Sequence, residues 1–91
     1  DPDSIRAIAR KELADLARRE GLVERGLTLD WDEEVVELLA AVGFDPRYGA
    51  RPLQRAVDQH VVSALSAWRL AQPQARDQRL RLGVVDGRVV V

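Results

Sequence analysis

At 91 residues the chain is long enough for one hydrophobic core and too short for two. Its 46% apolar content supplies that core, and a 32% charged fraction balanced to a net charge of −1 leaves no basic field to draw in nucleic acid or an anionic membrane. Cysteine is absent, which excludes disulfide staples and thiolate metal sites, and the apolar runs are too short to cross a bilayer. The chain starts at Asp1 without a leader-like stretch and is read as one domain, residues 1–91, cut from a larger protein.

Ile5, Ile8, Ala9, Leu13, Leu16 and Ala17 recur at helical spacing, which predicts a helix from about Ser4 to Arg25 with Asp3 or Ser4 as its N-cap. Gly21 weakens its last turns by roughly 1 kcal/mol against alanine and marks where it breaks or extends. Leu27 to Trp31 then alternates apolar and polar residues, as a half-buried strand does. Asp32 is placed to cap a second helix whose first turn holds Glu33 and Glu34, where the helix dipole favours anions. Val35, Leu38, Leu39 and Val42 are its apolar stripe, and Gly43 ends it, with Phe44 placed to fold back in a Schellman-type stop.

Pro52 suits the first position of a third helix, since its φ is pre-set and its missing N–H would have had no partner there. Leu53, Ala56, Val57, Val61, Ala64, Leu65 and Trp68 form the buried face of that helix, and Pro73 ends the pattern. Leu80, Leu82 and Val84 alternate up to Asp86-Gly87, and Val89 and Val91 alternate after it, the pattern of a β-hairpin. The order α-β-α-α-β-β predicts an α+β fold of three helices with a small three-stranded sheet.

Catalytic chemistry is scarce, and no residue is assigned a catalytic role in the isolated chain. There is no Gly-x-x-x-x-Gly-Lys loop to cradle a triphosphate. His60 is the sole histidine and has no second nitrogen or sulfur ligand to share a metal with, so no metal site is expected. Helix capping accounts for Asp32, Glu33 and Glu34, and Ser63 and Ser66 have no base at a suggestive spacing. The arginines stand apart. Arg51 falls at the start of a helix, where the dipole disfavours a cation, with Arg55 four residues on and Arg47 just ahead. Spacing alone allows a solvated basic edge, with or without pairing to nearby carboxylates, or a rigidly held guanidinium fork for a phosphate bound by another domain. Gly49 and Ala50 beside it leave room for a ligand or a neighbouring domain to come close.

The run Gly43-Phe44-Asp45-Pro46-Arg47-Tyr48-Gly49-Ala50-Arg51-Pro52-Leu53-Gln54-Arg55-Ala56-Val57 resembles the sensor-2 signature of Clp-type AAA+ ATPases, Gly-Tyr/Phe-Asp-Pro-x-Tyr/Phe-Gly-Ala-Arg-Pro-Leu-Lys/Arg-Arg-x-Ile/Val. Leu27-Thr28-Leu29 with the capped helix after it, and Ile5 to Leu16, resemble the elements ahead of that signature. The resemblance implies the C-terminal small domain, or lid, of the second ATPase module in a Clp chaperone or unfoldase. It implies that Arg51 reaches the γ-phosphate of ATP, with Gly49 and Ala50 beside it and Ile5 and Ile8 on the adenine side. ATP and Mg would be held mainly by the preceding large domain. The partners implied are that domain, neighbouring subunits of a homo-hexamer, protein clients and, in protease-linked relatives, a peptidase. The implied location is cytoplasmic, with no nucleic-acid or membrane partner.

Gln54 replaces the basic residue common in relatives, and residues 66–79 do not resemble the usual short Gly-rich connector. A disaggregating chaperone, a protease-linked unfoldase and a secretion-associated relative therefore stay open. Two readings of other classes also stand. A winged-helix module would use the third helix and hairpin on nucleic acid, against the acidic pI of about 5.8. A nucleotide-independent assembly domain would only join subunits.

Overall fold

The computed structural model describes residues 1–91, the side chain of Glu20 apart. The chain folds as α1 (Pro2–Ala17), α2 (Glu20–Val23), β1 (Thr28–Trp31), α3 (Glu33–Val42), α4 (Leu53–Val57), a π-helical turn (Asp58–Val62), α5 (Ser63–Ala71), β2 (Arg79–Val85) and β3 (Arg88–Val90). This is an α+β domain. The sheet order is β1-β2-β3, with β1 parallel to β2 and β2 antiparallel to β3. Thr28 lies opposite Arg79, Trp31 opposite Leu82 and Gly83 opposite Val90. A parallel pair cannot be joined by a tight turn, so α3 to α5 form the crossover between its strands. Asp86 and Gly87 both have positive φ, 52° and 75°, as a two-residue type I′ hairpin requires.

The predicted first helix differs in extent. Asp1 is the N-cap, its side chain accepting from the amide of Asp3, and Pro2 takes the first helical position. The helix ends at Ala17 and restarts as the short α2, so the single helix expected from Ser4 to Arg25 is two. The break falls ahead of Gly21, at Arg18 and Arg19, and the amide of Leu27 closes back on the carbonyl of Leu22 at 3.0 Å. Redirecting the chain there buries both Leu22 and Leu27, which a straight helix would not do.

One contiguous core joins α1, α3, the helix of residues 53–71 and the inner face of the sheet. Ala9, Leu13, Val35, Val36, Leu39, Val61 and Leu82 are fully buried in it. Arg6 to Glu37 at 2.7 Å, and Arg10 to Glu33, tie α1 to α3 along the surface. The π-helical turn has a packing cause. Leu53, Val57, Val61 and Leu65 repeat every four residues and are all buried. Each such step overshoots a 3.6-residue turn by about 40°, so three steps drift about 120° off the core. The one extra residue of a π turn takes back about 100° and holds the stripe on one face. Ser63 seals the turn, its amide and hydroxyl both donating to the carbonyl of Asp58.

Asp32 begins α3 in the N-cap position, but its side chain makes no cap hydrogen bond. Instead it accepts from Arg81 Nε at 2.5 Å across the sheet. The capping role expected of that carboxylate is thus replaced by a cross-strand ion pair. No helix of the described residues is long and apolar enough to cross a membrane.

Candidate functional site

The stretch from Gly43 to Leu53 joins the end of α3 to the start of α4 through a tight, self-bonded loop. Asp45 organises it: its amide donates to Gly49 O at 2.9 Å, and its carboxylate accepts from the amide of Arg47 at 2.7 Å. This is an Asx-type turn inside a one-bridge hairpin. Gly49 adopts φ +64°, the left-handed region glycine enters without strain, with open space around its α-carbon. The chain then steps through successive turns, Arg51 N to Tyr48 O and Leu53 N to Ala50 O, into the helix. Pro52 is the N-cap rather than the first helical residue, and its carbonyl accepts the first helical bond from Ala56 at 2.9 Å.

Gly43 is demanded by space, not by torsion. Its φ is −94°, outside the left-handed region, so the Schellman-type stop expected there does not form. A Cβ at that position would lie 2.6 Å from Leu53 Cδ1 and 2.9 Å from Leu53 Cα. The end of α3 and the start of α4 are therefore in direct contact, and the loop between them leaves from a fixed base. Phe44 does not fold back over α3. It is 45% exposed and faces α1.

Phe44, Ile5, Pro2, Ala40 and Ala41 line an open, mainly apolar groove of about 400 Å³ between the start of α1 and the end of α3. Arg6 and Glu37 stand on its rim, and their hydrogen bond raises the Arg6 pKa above its ordinary value. Ile5 is half-buried in the groove, whereas Ile8 is 39% exposed on α1 and outside its lining. Sequence reading missed Phe44, Pro2 and the two alanines. Small residues on α3 just before an exposed aromatic were the available signal.

Arg51 is exposed, with Gly49 and Ala50 half-buried behind it. Arg6, Arg10, Arg18, Arg79 and Arg81 all engage carboxylates. Among the described residues, Arg47, Arg51 and Arg55 engage none and all three are exposed, so the edge is solvated and its pairing with carboxylates does not form. Arg51 thus carries an uncompensated charge at the dipole's unfavourable end, on a loop pinned to one end of the apolar groove through Gly43 and Leu53. That arrangement offers a planar fork of donors beside an apolar surface. His60 lies in the π turn, half-buried, and no group of three metal-ligating side chains converges among the described residues.

Residues 1–82 match the family model of the C-terminal, D2-small domain of ClpB protein. The chaperone protein ClpB of Vibrio cholerae is 42% identical over 87 residues, covering 96% of this chain and 10% of that protein. ClpB of Streptomyces albus is 37% identical over 91 residues, all of this chain and 10% of the relative. Heat shock protein hsp98 of Neurospora crassa is 32% identical over 87 residues, or 96% of this chain and 9% of its own length. The chain belongs to the ClpB D2-small family, and it spans about a tenth of the length of these relatives.

Proposed function

We propose that this domain is the lid of an ATPase module in a ClpB-type chaperone that remodels protein clients, with Arg51 as its phosphate sensor. The observation that carries the reading is the unpaired Arg51 on a hydrogen-bonded loop whose base is locked to the end of an apolar groove. The chain's own residues fit ATP in two places. Ile5, Pro2 and Phe44 present an apolar surface suited to a planar base, in a groove within the size range of ligand sites. The Arg51 guanidinium suits a terminal phosphate, and among the described residues it is in no ion pair. No residue here can cradle the whole triphosphate, so a preceding large domain holds most of the nucleotide and its Mg.

When bound, ATP supplies a terminal negative charge that is present before hydrolysis and lost after it. Arg51 then registers that difference, and the lid turns with it as one body because its helices and sheet share a single core. Packed on the next subunit of a hexamer, such a lid passes the rotation around the ring.

Arg51→Ala in the full-length protein tests this. Losing one charge-assisted contact, worth about 1.5–3 kcal/mol, lowers ATP turnover by about ten- to hundred-fold while the hexamer still assembles. Normal turnover with normal assembly would refute the sensor role and leave a domain that only joins subunits.

A further inference from the structure

Two shallow clefts adjoin where α2 meets α5, sharing Ser66 and Arg69 as a common wall. Arg25, Leu70 and Pro73 line one, and Arg19 and Leu22 stand on the other. Three guanidinium-bearing side chains therefore converge on one small surface. Among the described residues no carboxylate lines either cleft, and none of the three arginines is in an ion pair.

Two of the cations are also held in place. Arg25 Nη1 donates to the carbonyl of Pro73 at 3.1 Å, which fixes the direction of its side chain. The Arg69 guanidinium lies against the α2 backbone, where a Cβ on Gly21 would sit 3.1 Å from Nη1, so glycine is what lets it approach. Its Nε is shut off from solvent and has no hydrogen-bond partner among the described residues. A charged donor left without an acceptor is unfavourable and calls for an explanation. The carbonyl end of α5 favours one cation in its last turn. It does not account for three that converge from α5, the turn after α2 and the turn after α1. Leu70, 83% exposed at the mouth, adds an apolar contact that water does not satisfy.

We propose that this double cleft docks an acidic, partly apolar segment of another protein chain, its carboxylates received by Arg69, Arg25 and Arg19. The guanidinium fork matches carboxylate geometry, and charge complementarity selects an acidic partner. The apolar walls at Leu22, Leu70 and Pro73 select a peptide over a free inorganic anion. The site is independent of the nucleotide role given to Arg51.

The test is an amide and arginine-side-chain NMR titration of the 91-residue chain, which contains the whole core described above. The probes are a capped Leu-Glu-Glu-Leu-Glu peptide, the same peptide with Gln for Glu, and inorganic phosphate. The expected result is saturable shifts at Gly21, Ser66 and the Arg69 Nε–H with the Glu peptide in the low-millimolar range. The Gln peptide and phosphate bind at least about ten-fold more weakly, and the loop around Arg51 is unmoved. Arg69→Ala and Arg25→Ala each weaken the Glu peptide by about ten-fold, while Arg69→Lys, which keeps the charge, loses less. No binding of the Glu peptide, equal binding of the Gln peptide or phosphate, shifts spread evenly over all arginines, or unchanged affinity in the alanine variants would each overturn the proposal.

Discussion

Gly43→Ala is the sharpest probe of how the candidate site is held. The added methyl would lie 2.6 Å from Leu53 Cδ1, 2.7 Å from the carbonyl oxygen of Leu39 and 2.9 Å from Leu53 Cα. A side-chain rotation could relieve only the first, and Leu53 is 1% exposed, so it has nowhere to go. The other two contacts are to backbone: the one with Leu53 Cα needs α3 and α4 to separate, and the one with Leu39 O needs the last turn of α3 to loosen. Overpacking typically costs about 1–3 kcal/mol, and two backbone clashes place this case at about 2–3 kcal/mol. For a domain of this size each kcal/mol lowers Tm by about 4–8 °C, giving a drop of about 8–24 °C by calorimetry. Gly49→Ala is the contrast. It meets no atom within 4 Å but sits at φ +64°, and the left-handed conformation costs a non-glycine residue about 1–2 kcal/mol. The reasoning predicts that Gly43→Ala is the more damaging of the two. If it melts within a few degrees of the wild type, the close contact between α3 and α4 is wrong, and with it the fixed base assigned to the Arg51 loop.

Two further outcomes bear on the fold. Leu82→Ala removes a fully buried side chain from the middle strand and should cost about 2–5 kcal/mol in urea unfolding, with an unchanged denaturant slope. Asp32→Ala should cost little as a cap, because its carboxylate caps nothing; in a double-mutant cycle with Arg81→Ala the coupling should stay below about 1 kcal/mol, as for an exposed pair. A coupling of several kcal/mol would show that this pair, and not the core, sets the register of β1 on β2.

Local signals in the chain carried far. Helical spacing placed α3 and the long helix of residues 53–71, Asp86-Gly87 placed the hairpin, and the Gly43–Val57 signature pointed to the family that the comparison then showed. What the sequence did not disclose are contacts between residues distant along the chain or facing one another only after packing. Arg18 and Arg19 are good helix formers, so nothing local ends α1 at Ala17; burial of Leu22 and Leu27 does. Phe44 and Ile5 share a groove although 39 positions apart, which only the packing of α1 on α3 brings about.

Arg51 and its neighbours show the same division. Residue type, spacing and the signature are properties of the chain, and by themselves they single out Arg51, Gly49 and Ala50. Whether those arginines were neutralised could not be read there, because an ion pair depends on where the carboxylates end up in space. Among the arginines, the described ion pairs form on Arg6, Arg10, Arg18, Arg79 and Arg81, while Asp45, the carboxylate inside the loop, accepts from the Arg47 amide and not from a guanidinium. Sequence determined which charge stands at the head of the helix. Tertiary packing decided that no described carboxylate pairs with it, since pairing follows distance in space and not distance along the chain.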